Sequence, residues 1–223
     1  DSAIGTEDVT MVEGDDLPWA RVARTGEEER GLRYVVRFAS GKQRVLVVNA
    51  APISNPLMGA EVVFTVTDIT EPVLAAQRLA KLAAQDPLTG MYNRRGLDDA
   101  AERILATARH NQERTAFLLL DLDHFRSVND LLRHEMGDAV LQVAAKRMEA
   151  TLAGGGIVAR MGGDEFMAVV GCQDLAAAAQ LAEAMRAAIA EPITVGSHTI
   201  NLTASVGVSL FPTDGDELPQ LIS

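Results

Sequence analysis

Ile157-Val158-Ala159-Arg160-Met161-Gly162-Gly163-Asp164-Glu165-Phe166-Met167-Ala168-Val169-Val170 is the stretch from which the fold is read. Ile157–Met161 and Phe166–Val170 are short, largely apolar runs, and Gly162-Gly163-Asp164-Glu165 lies between them. Runs of this length bounded by turn residues read as buried strands. Glycine adopts backbone torsions closed to other residues, so the pair permits a tight reversal and leaves room for a ligand near the chain. The stretch therefore reads as a hairpin with two carboxylates at its tip.

Upstream, Phe117–Leu120 is a continuous apolar strand that ends in Asp121-Leu122-Asp123. If the extended geometry persists, both carboxylates point to one side of the sheet. Hard divalent cations prefer oxygen ligands of this kind. Either acidic group alone is equally well a solvated loop or a plain hairpin turn. Adjacent strands that brought the two together at one sheet edge would make a magnesium site able to hold a nucleotide triphosphate.

Three helices frame these strands. Arg94–His110 sets Leu97, Ala101, Ile104 and Ala108 on one face. Gly137–Leu152 turns Val140, Ala144, Met148 and Leu152 inward, and Asp174–Ala190 repeats the spacing with Ala178, Ala182, Met185 and Ile189. Ile193–Val195 and His198–Phe211 read as further strands around a Gly196-Ser197 turn. The order points to an α+β fold, with helices on a largely antiparallel sheet. Residues 1–30 read as acidic and irregular, with a helical stretch near Leu17–Arg24. Arg33–Ala39, Arg44–Pro52 and Gly59–Asp68 then read as an antiparallel meander, its turns at Ser40-Gly41 and Asn55-Pro56. Glu71–Gln85 reads as a helix, with Leu79 and Leu82 at helical spacing after Pro72 and Ala75. It is a linker packed on one domain or a dimer-forming segment. The expected domains are 1–70, a linker at 71–85, and 86–223.

The 223 residues are 48% hydrophobic and 23% charged, with a net charge of −11. That balance excludes a disordered tail and argues against a surface that coats nucleic acid. An anionic ligand then needs local cations or a metal. One cysteine rules out an internal disulfide and fits a reducing, cytoplasmic setting. No apolar run reaches the length of a membrane span. The sequence starts at Asp1 without a signal-peptide pattern and reads as a piece of something longer, whose parent is open to membrane tethering.

Four motifs in order resemble those of the GGDEF-domain diguanylate cyclases. Arg160–Phe166 contains GGDEF itself. Asp86–Arg95 resembles the opening D-x-L-T-G-L-x-N-R-R. Asp121–Asp130 resembles D-x-D-x-F-K-x-x-N-D, and His134–Leu141 resembles G-H-x-x-G-D-x-x-L. The resemblance implies a palm-like fold, related to the polymerase palm and to adenylyl cyclases, with an antiparallel-rich sheet flanked by helices. It implies a reaction in which two GTP condense to cyclic di-GMP with release of two pyrophosphates. Each of two facing protomers holds one GTP, and the partners of this chain are therefore GTP, cyclic di-GMP and a second copy. No nucleic acid and no membrane are implied for this segment.

By the same resemblance, Asp121, the Leu122 carbonyl and Asp164 hold Mg²⁺ or Mn²⁺. Asp164 also acts as general base, and Glu165 lies beside it in the active-site loop. Asn129 and Asp138 read guanine, whose N1–H and N2–H₂ donors suit a carboxylate. Backbone N–H groups of His124 and Phe125 meet phosphate oxygens. Arg126 stands where the family has a lysine that stabilises the transition state; it keeps the charge with a different shape. His134 matches the family histidine or is a surface residue on a loop.

The departures carry expectations of their own. The family's R-x-x-D product-inhibition site falls on Ala153 and Gly156 here, so no inhibitory product site is expected. The family also continues past this C-terminus with an A-K-x-x-G-R pattern, so this segment is expected to bind GTP poorly. The N-terminal strands resemble the C-terminal half of a PAS domain, with Thr67-Asp68-Ile69-Thr70 at its exit. Residues 1–70 offer no identifiable PAS ligand; the implied logic is a sensory change passed through Glu71–Gln85 to alter how two catalytic domains meet. Competing readings are a non-catalytic GGDEF module that binds GTP or cyclic di-GMP, and a nucleotidyl cyclase acting on ATP, which Asp138 disfavours. Cys172 reads as small and partly buried, Trp19 as packing under the sheet, and Met148, Met161 and Met167 as core. His110 and His198 have no metal-ligand spacing, and Asp214, Asp216 and Glu217 read as a solvated loop.

Overall fold

The computed structural model describes residues 3–5, 17–38, 40–53, 62–132 and 134–222. Expected features on Ala39, Asn55-Pro56 and residues 59–61 lie outside them. The chain divides into two compact units, Asp1–Ala80 and Lys81–Ser223.

The first unit is a four-stranded antiparallel sheet ordered β1 (Ala3–Gly5), β2 (Glu29–Arg37), β3 (Gln43–Pro52) and β4 (Val62–Asp68). Its β2–β3–β4 meander agrees with the sequence reading. β1 does not, because three residues in an acidic stretch carry no periodicity to detect. Helix α1 (Pro18–Thr25) begins at a proline and ends on Gly26 in the left-handed region, and Trp19 stacks on Phe64 at 5.1 Å. Helix α2 (Thr70–Ala83) runs across the division between the units. Its start is tied down: Thr70 Oγ1 donates to Asp68 and accepts from Val45 N–H. Farther along α2, Leu79 and Leu82 stand 67% and 70% exposed.

The second unit is built on a five-stranded sheet ordered β11 (Ala204–Phe211), β6 (Arg114–Leu122), β8 (Glu165–Cys172), β7 (Gly156–Gly162) and β5 (Tyr92–Asn93). All neighbours pair antiparallel except β5 with β7. Both faces are covered, which is why β6 and β8 read as unbroken apolar runs. On one face α5 (His134–Thr151), α6 (Leu175–Ala190) and the short α4 (Phe125–Leu132) pack Leu118, Leu120, Val140, Met148, Phe166 and Met185 into one core. On the other, α3 (Arg94–Asn111) and α7 (Leu218–Leu221) cover Leu97, Leu105, Phe117, Met167 and Phe211. Each fully buried leucine contributes roughly 2–3 kcal/mol by leaving water. Helix α3 starts where Asn93 caps Gly96 N–H at 2.9 Å, and α6 where Asp174 caps Ala177 N–H at 2.8 Å.

Four sequence expectations are corrected by these elements. The run His198–Phe211 is two strands: β10 (His198–Ile200) pairs with β9 (Ile193–Val195) in its own ribbon, and β11 joins the main sheet. Leu202, 5% exposed, turns into the core between them and breaks the extended run. Helix α5 starts at His134, ahead of the expected Gly137, so His134 opens a helix and is not on a loop. Helix α4 was not expected, because its eight residues come directly after the acidic pair and mix polar side chains with Phe125 and Val128. The acidic loop is not simply solvated: Asp214 accepts from Leu210 N–H at 2.8 Å, and Glu217 belongs to a capping box at α7.

Candidate functional site

Strand register brings the two acidic segments to one end of the sheet. Asp121, next to last in β6, lies directly opposite Glu165 on β8 and opposite Ser205 on β11. Leu122 N–H donates to the Asp164 carbonyl at 3.3 Å. Between β7 and β8 the chain reverses through Gly163 and Asp164. Gly162 and Gly163 have φ of 149° and 55°, torsions that side-chain-bearing residues rarely adopt. Partial burial raises the pKa of the Asp121 carboxyl, and the charges of Asp164, Glu165 and Asp123 raise it further.

Asp123 adds to that crowding, but its own carboxylate is engaged by hydroxyls. Its carboxylate accepts from Thr203 Oγ1 at 2.5 Å and Ser205 Oγ at 2.7 Å, and these bonds hold its pKa below the ordinary value. The chain then turns through His124 at φ 59° into α4, where Phe125 is 5% exposed and anchors the helix. Arg126 is exposed in the first turn of α4.

Asn129 packs against Gly137, the residue before Asp138. The Asn129 amide lies so close to Gly137 that a Cβ there would sit 1.9 Å from its oxygen. Asp138 comes after Gly137 on α5 and is exposed, as is His134 four residues earlier. At the expected product-inhibition positions, Ala153 has φ 47°, and a Cβ on Gly156 would meet the Val169 carbonyl at 2.5 Å. The local backbone therefore has no room for an aspartate at that position.

Sequence reasoning missed one feature of this end of the sheet. Arg160 Nε and Nη2 donate to the Gly163 carbonyl at 2.9 and 2.8 Å, and Nη1 pairs with Asp86 at 3.3 Å. Asp86 in turn accepts from Thr89 N–H and Oγ1 at 2.9 and 2.8 Å. Arg160 thus clamps the hairpin turn to the segment that opens the second unit. The available signals were an arginine inside an apolar strand run and an Asp-x-x-Thr turn pattern.

Among the described residues, no three His, Cys, Asp or Glu side chains group tightly enough to hold a metal ion by themselves. The Asp121 carboxyl lies opposite Glu165 and within reach of the Asp164 charge, so the sheet end gathers hard carboxylate oxygens. That fits Mg²⁺, which is usually held by one or two carboxylates and completed by water and substrate phosphates.

The protein family described as "Diguanylate cyclase, GGDEF domain" matches residues 83–223. The chain belongs to this family. Its GGDEF domain is 37% identical over 148 residues to the bifunctional diguanylate cyclase/cyclic di-GMP phosphodiesterase MucR of Pseudomonas aeruginosa, covering 66% of this chain and 22% of that protein. It is 35% identical over 144 residues to the cyclic di-GMP phosphodiesterase NbdA of the same organism, covering 65% of this chain and 18% of that protein. The chain thus spans about a fifth of the length of these relatives. Among solved structures, a sensory box/GGDEF family protein from Caulobacter crescentus is similar with a TM-score of 0.60 at 34% identity, over 62% of this chain and 90% of that one. These likenesses agree with the palm-like α+β fold read for the GGDEF domain.

Proposed function

We propose that the GGDEF domain of this chain is a diguanylate cyclase that joins two GTP molecules into cyclic di-GMP as a dimer. The observation that carries this reading is the register of Asp121 against Glu165, with Leu122 bonded to Asp164 in the hairpin turn. That register supports the reading because it sets the exposed Asp121 and Glu165 side by side at one sheet end, next to the Asp164 turn. Magnesium or manganese held there lowers the cost of bringing a triphosphate beside these carboxylates and polarises the reacting phosphate. Asn129 and Asp138 hold guanine. The N–H groups of His124 and Phe125 cradle phosphate oxygens at the start of α4, and Arg126 offsets negative charge as it develops. Asp164 accepts the proton of the 3′-hydroxyl of one GTP as that oxygen attacks the α-phosphorus of the other. Pyrophosphate leaves, and the same step on the second GTP closes the ring.

In this reading the first unit is the C-terminal part of a PAS-type sensory module, and the exposed Leu79 and Leu82 of α2 form the seam between two copies. Incubating the protein with Mg²⁺ and GTP or ATP, and identifying the product by mass, tests the assignment. Cyclic di-GMP from GTP supports it; a cyclic product from ATP, or no product, removes it. A second reading rests on NbdA, a relative named only as a phosphodiesterase. In it, this GGDEF domain is a non-catalytic module that binds GTP or cyclic di-GMP and signals by protein contact. The same incubation decides between the two, because a binding module retains GTP and releases no product.

Two further results are expected. Gly137→Ala pushes the Asn129 amide aside, since the far end of a flexible side chain can swing away, and asks Phe125 Cζ, 3.2 Å from the new Cβ, to give by a few tenths of an ångström. KM for GTP is expected to rise about tenfold, the effect of one lost hydrogen bond. An unchanged KM removes Asn129 from the guanine contact. Added cyclic di-GMP is expected to leave the initial rate unchanged, because Ala153 and Gly156 supply neither guanidinium nor carboxylate. Micromolar inhibition abolished by changes at residues 153–156 would refute that expectation.

A further inference from the structure

Asp121-Leu122-Asp123 reads as a pair of cation ligands, but the structure treats its two carboxylates differently. Asp121 faces Glu165 and the Asp164 turn. Asp123 has each of its oxygens taken by a hydroxyl, Oδ2 by Thr203 and Oδ1 by Ser205. Its own N–H donates to the Thr203 carbonyl at 2.9 Å, which extends the β6–β11 ladder by one rung beyond Ala204↔Leu122. Ser205 is also the cross-strand partner of Asp121. One serine therefore sits opposite the first aspartate and bonds the second.

The turn immediately after Asp123 explains why such a tie is needed. His124 holds φ at 59°, a torsion that costs a side-chain-bearing residue of order 1 kcal/mol or more. Ser127 N–H donates to the His124 carbonyl at 2.9 Å, so the turn feeds directly into α4. A strained turn persists only where its surroundings over-determine it. Asp123 makes three bonds immediately before that turn, two to Thr203, the residue that leads into β11, and one to Ser205 on β11.

We infer that Asp123 is a positioning residue that ties the β6–α4 turn to β11 through Thr203 and Ser205, and is not a ligand of the cation. It acts through the backbone of residues 122–125, which the proposed cyclase reading sets against the metal and the phosphates, and so rests on that reading. Each Asp123 oxygen keeps a second lone pair, but both oxygens are turned toward Thr203 and Ser205 and their orientation is set by those hydroxyls. A pull toward a cation would work against that tie and loosen the turn.

The test compares Asp123→Asn, Asp123→Ala and Asp121→Asn in the same chain, with two readouts. The first is amide hydrogen exchange of residues 122–125 and 203–205, measured without nucleotide or metal. Asp123→Ala is expected to speed exchange there at least tenfold, with Asp121→Asn leaving it within about twofold. Unchanged exchange in Asp123→Ala overturns the inference whether or not the protein turns over GTP. The second is the Mg²⁺ concentration giving half-maximal rate. Asparagine accepts one hydroxyl through Oδ1 and donates to the other through Nδ2, so Asp123→Asn is expected to keep that concentration within about twofold. Asp121→Asn is expected to raise it more than tenfold. An equal rise in Asp123→Asn makes Asp123 a ligand and overturns the inference while leaving the cyclase reading intact. Absence of product from the unaltered chain strikes the cyclase reading instead, and the exchange readout still decides the role of Asp123. Combining Asp123→Ala with Ser205→Ala and Thr203→Val should add little to the exchange effect of Asp123→Ala alone, because all three remove the same tie. Full additivity refutes it.

Discussion

Asp164→Ala is expected to lower cyclic di-GMP formation about a thousandfold while leaving the fold intact. A carboxylate that holds the cation and takes the proton of the attacking hydroxyl contributes only as the reaction proceeds. Losing it removes roughly 4 kcal/mol of transition-state stabilisation. The folded state loses little, because Asp164 sits in a turn and its charge is one of those that push Asp121 upward. Removing it relieves like-charge crowding at the sheet end. The thermal midpoint is therefore expected to hold or rise slightly. That pairing separates loss of chemistry from loss of structure, since a misfolded variant loses both together. Activity within tenfold of the unaltered protein takes Asp164 out of the mechanism.

The parts of this site that were legible in the sequence share a physical property. Gly162-Gly163 must adopt torsions that only glycine tolerates cheaply, and Phe117–Leu120 must be apolar because both sheet faces are covered. Such demands leave marks on neighbouring residues, so the hairpin, the buried strand and helices α3, α5 and α6 could be read from spacing. The convergence of Asp121 on Glu165 could only be guessed, because register between residues 44 positions apart is set by packing and not by local pattern. Features held by few bonds left no periodic trace. β5 is two residues long, and its Asn93 is also held by bonds to Gly96 N–H and to the carbonyls of Ala83 and Gln85. The break at Leu202 and the division of labour between Asp121 and Asp123 depend on β11 arriving from 80 residues downstream. Alternation set the two aspartates on one face, yet it could not say that Thr203 and Ser205 would occupy one of them.

The Arg160 clamp is the second place where a single change is expected to be felt widely. Arg160 and Asp86 are 15% and 17% exposed at their side chains, so the pair is shielded but not fully desolvated. Arg160→Ala leaves the Asp86 carboxylate with its Thr89 bonds but no counter-charge, and frees the Gly163 carbonyl. The expected cost is about 2–3 kcal/mol of unfolding free energy, below the figure for a fully buried pair because solvent still screens it. Turnover is expected to fall about 10–100-fold, the usual effect of losing a group that orients catalytic ligands. Arg160→Lys keeps the charge but not the fork that donates twice to Gly163, and so should recover stability better than turnover. The acid limb carries an independent check. Burial pushes the Asp86 carboxyl up, but the Thr89 bonds and Arg160 outweigh it, leaving it below its ordinary 3.8. A carboxyl lowered on folding stabilises the native state above its ordinary value, and that contribution is lost as pH falls through the folded-state value. The stability difference between the unaltered chain and Asp86→Asn is therefore expected to stay level from about pH 7 to 5 and shrink below about pH 4. A difference that persists unchanged at about pH 2.5 would mean that the carboxylate charge contributes nothing there, and that Arg160 holds the hairpin through Gly163 alone.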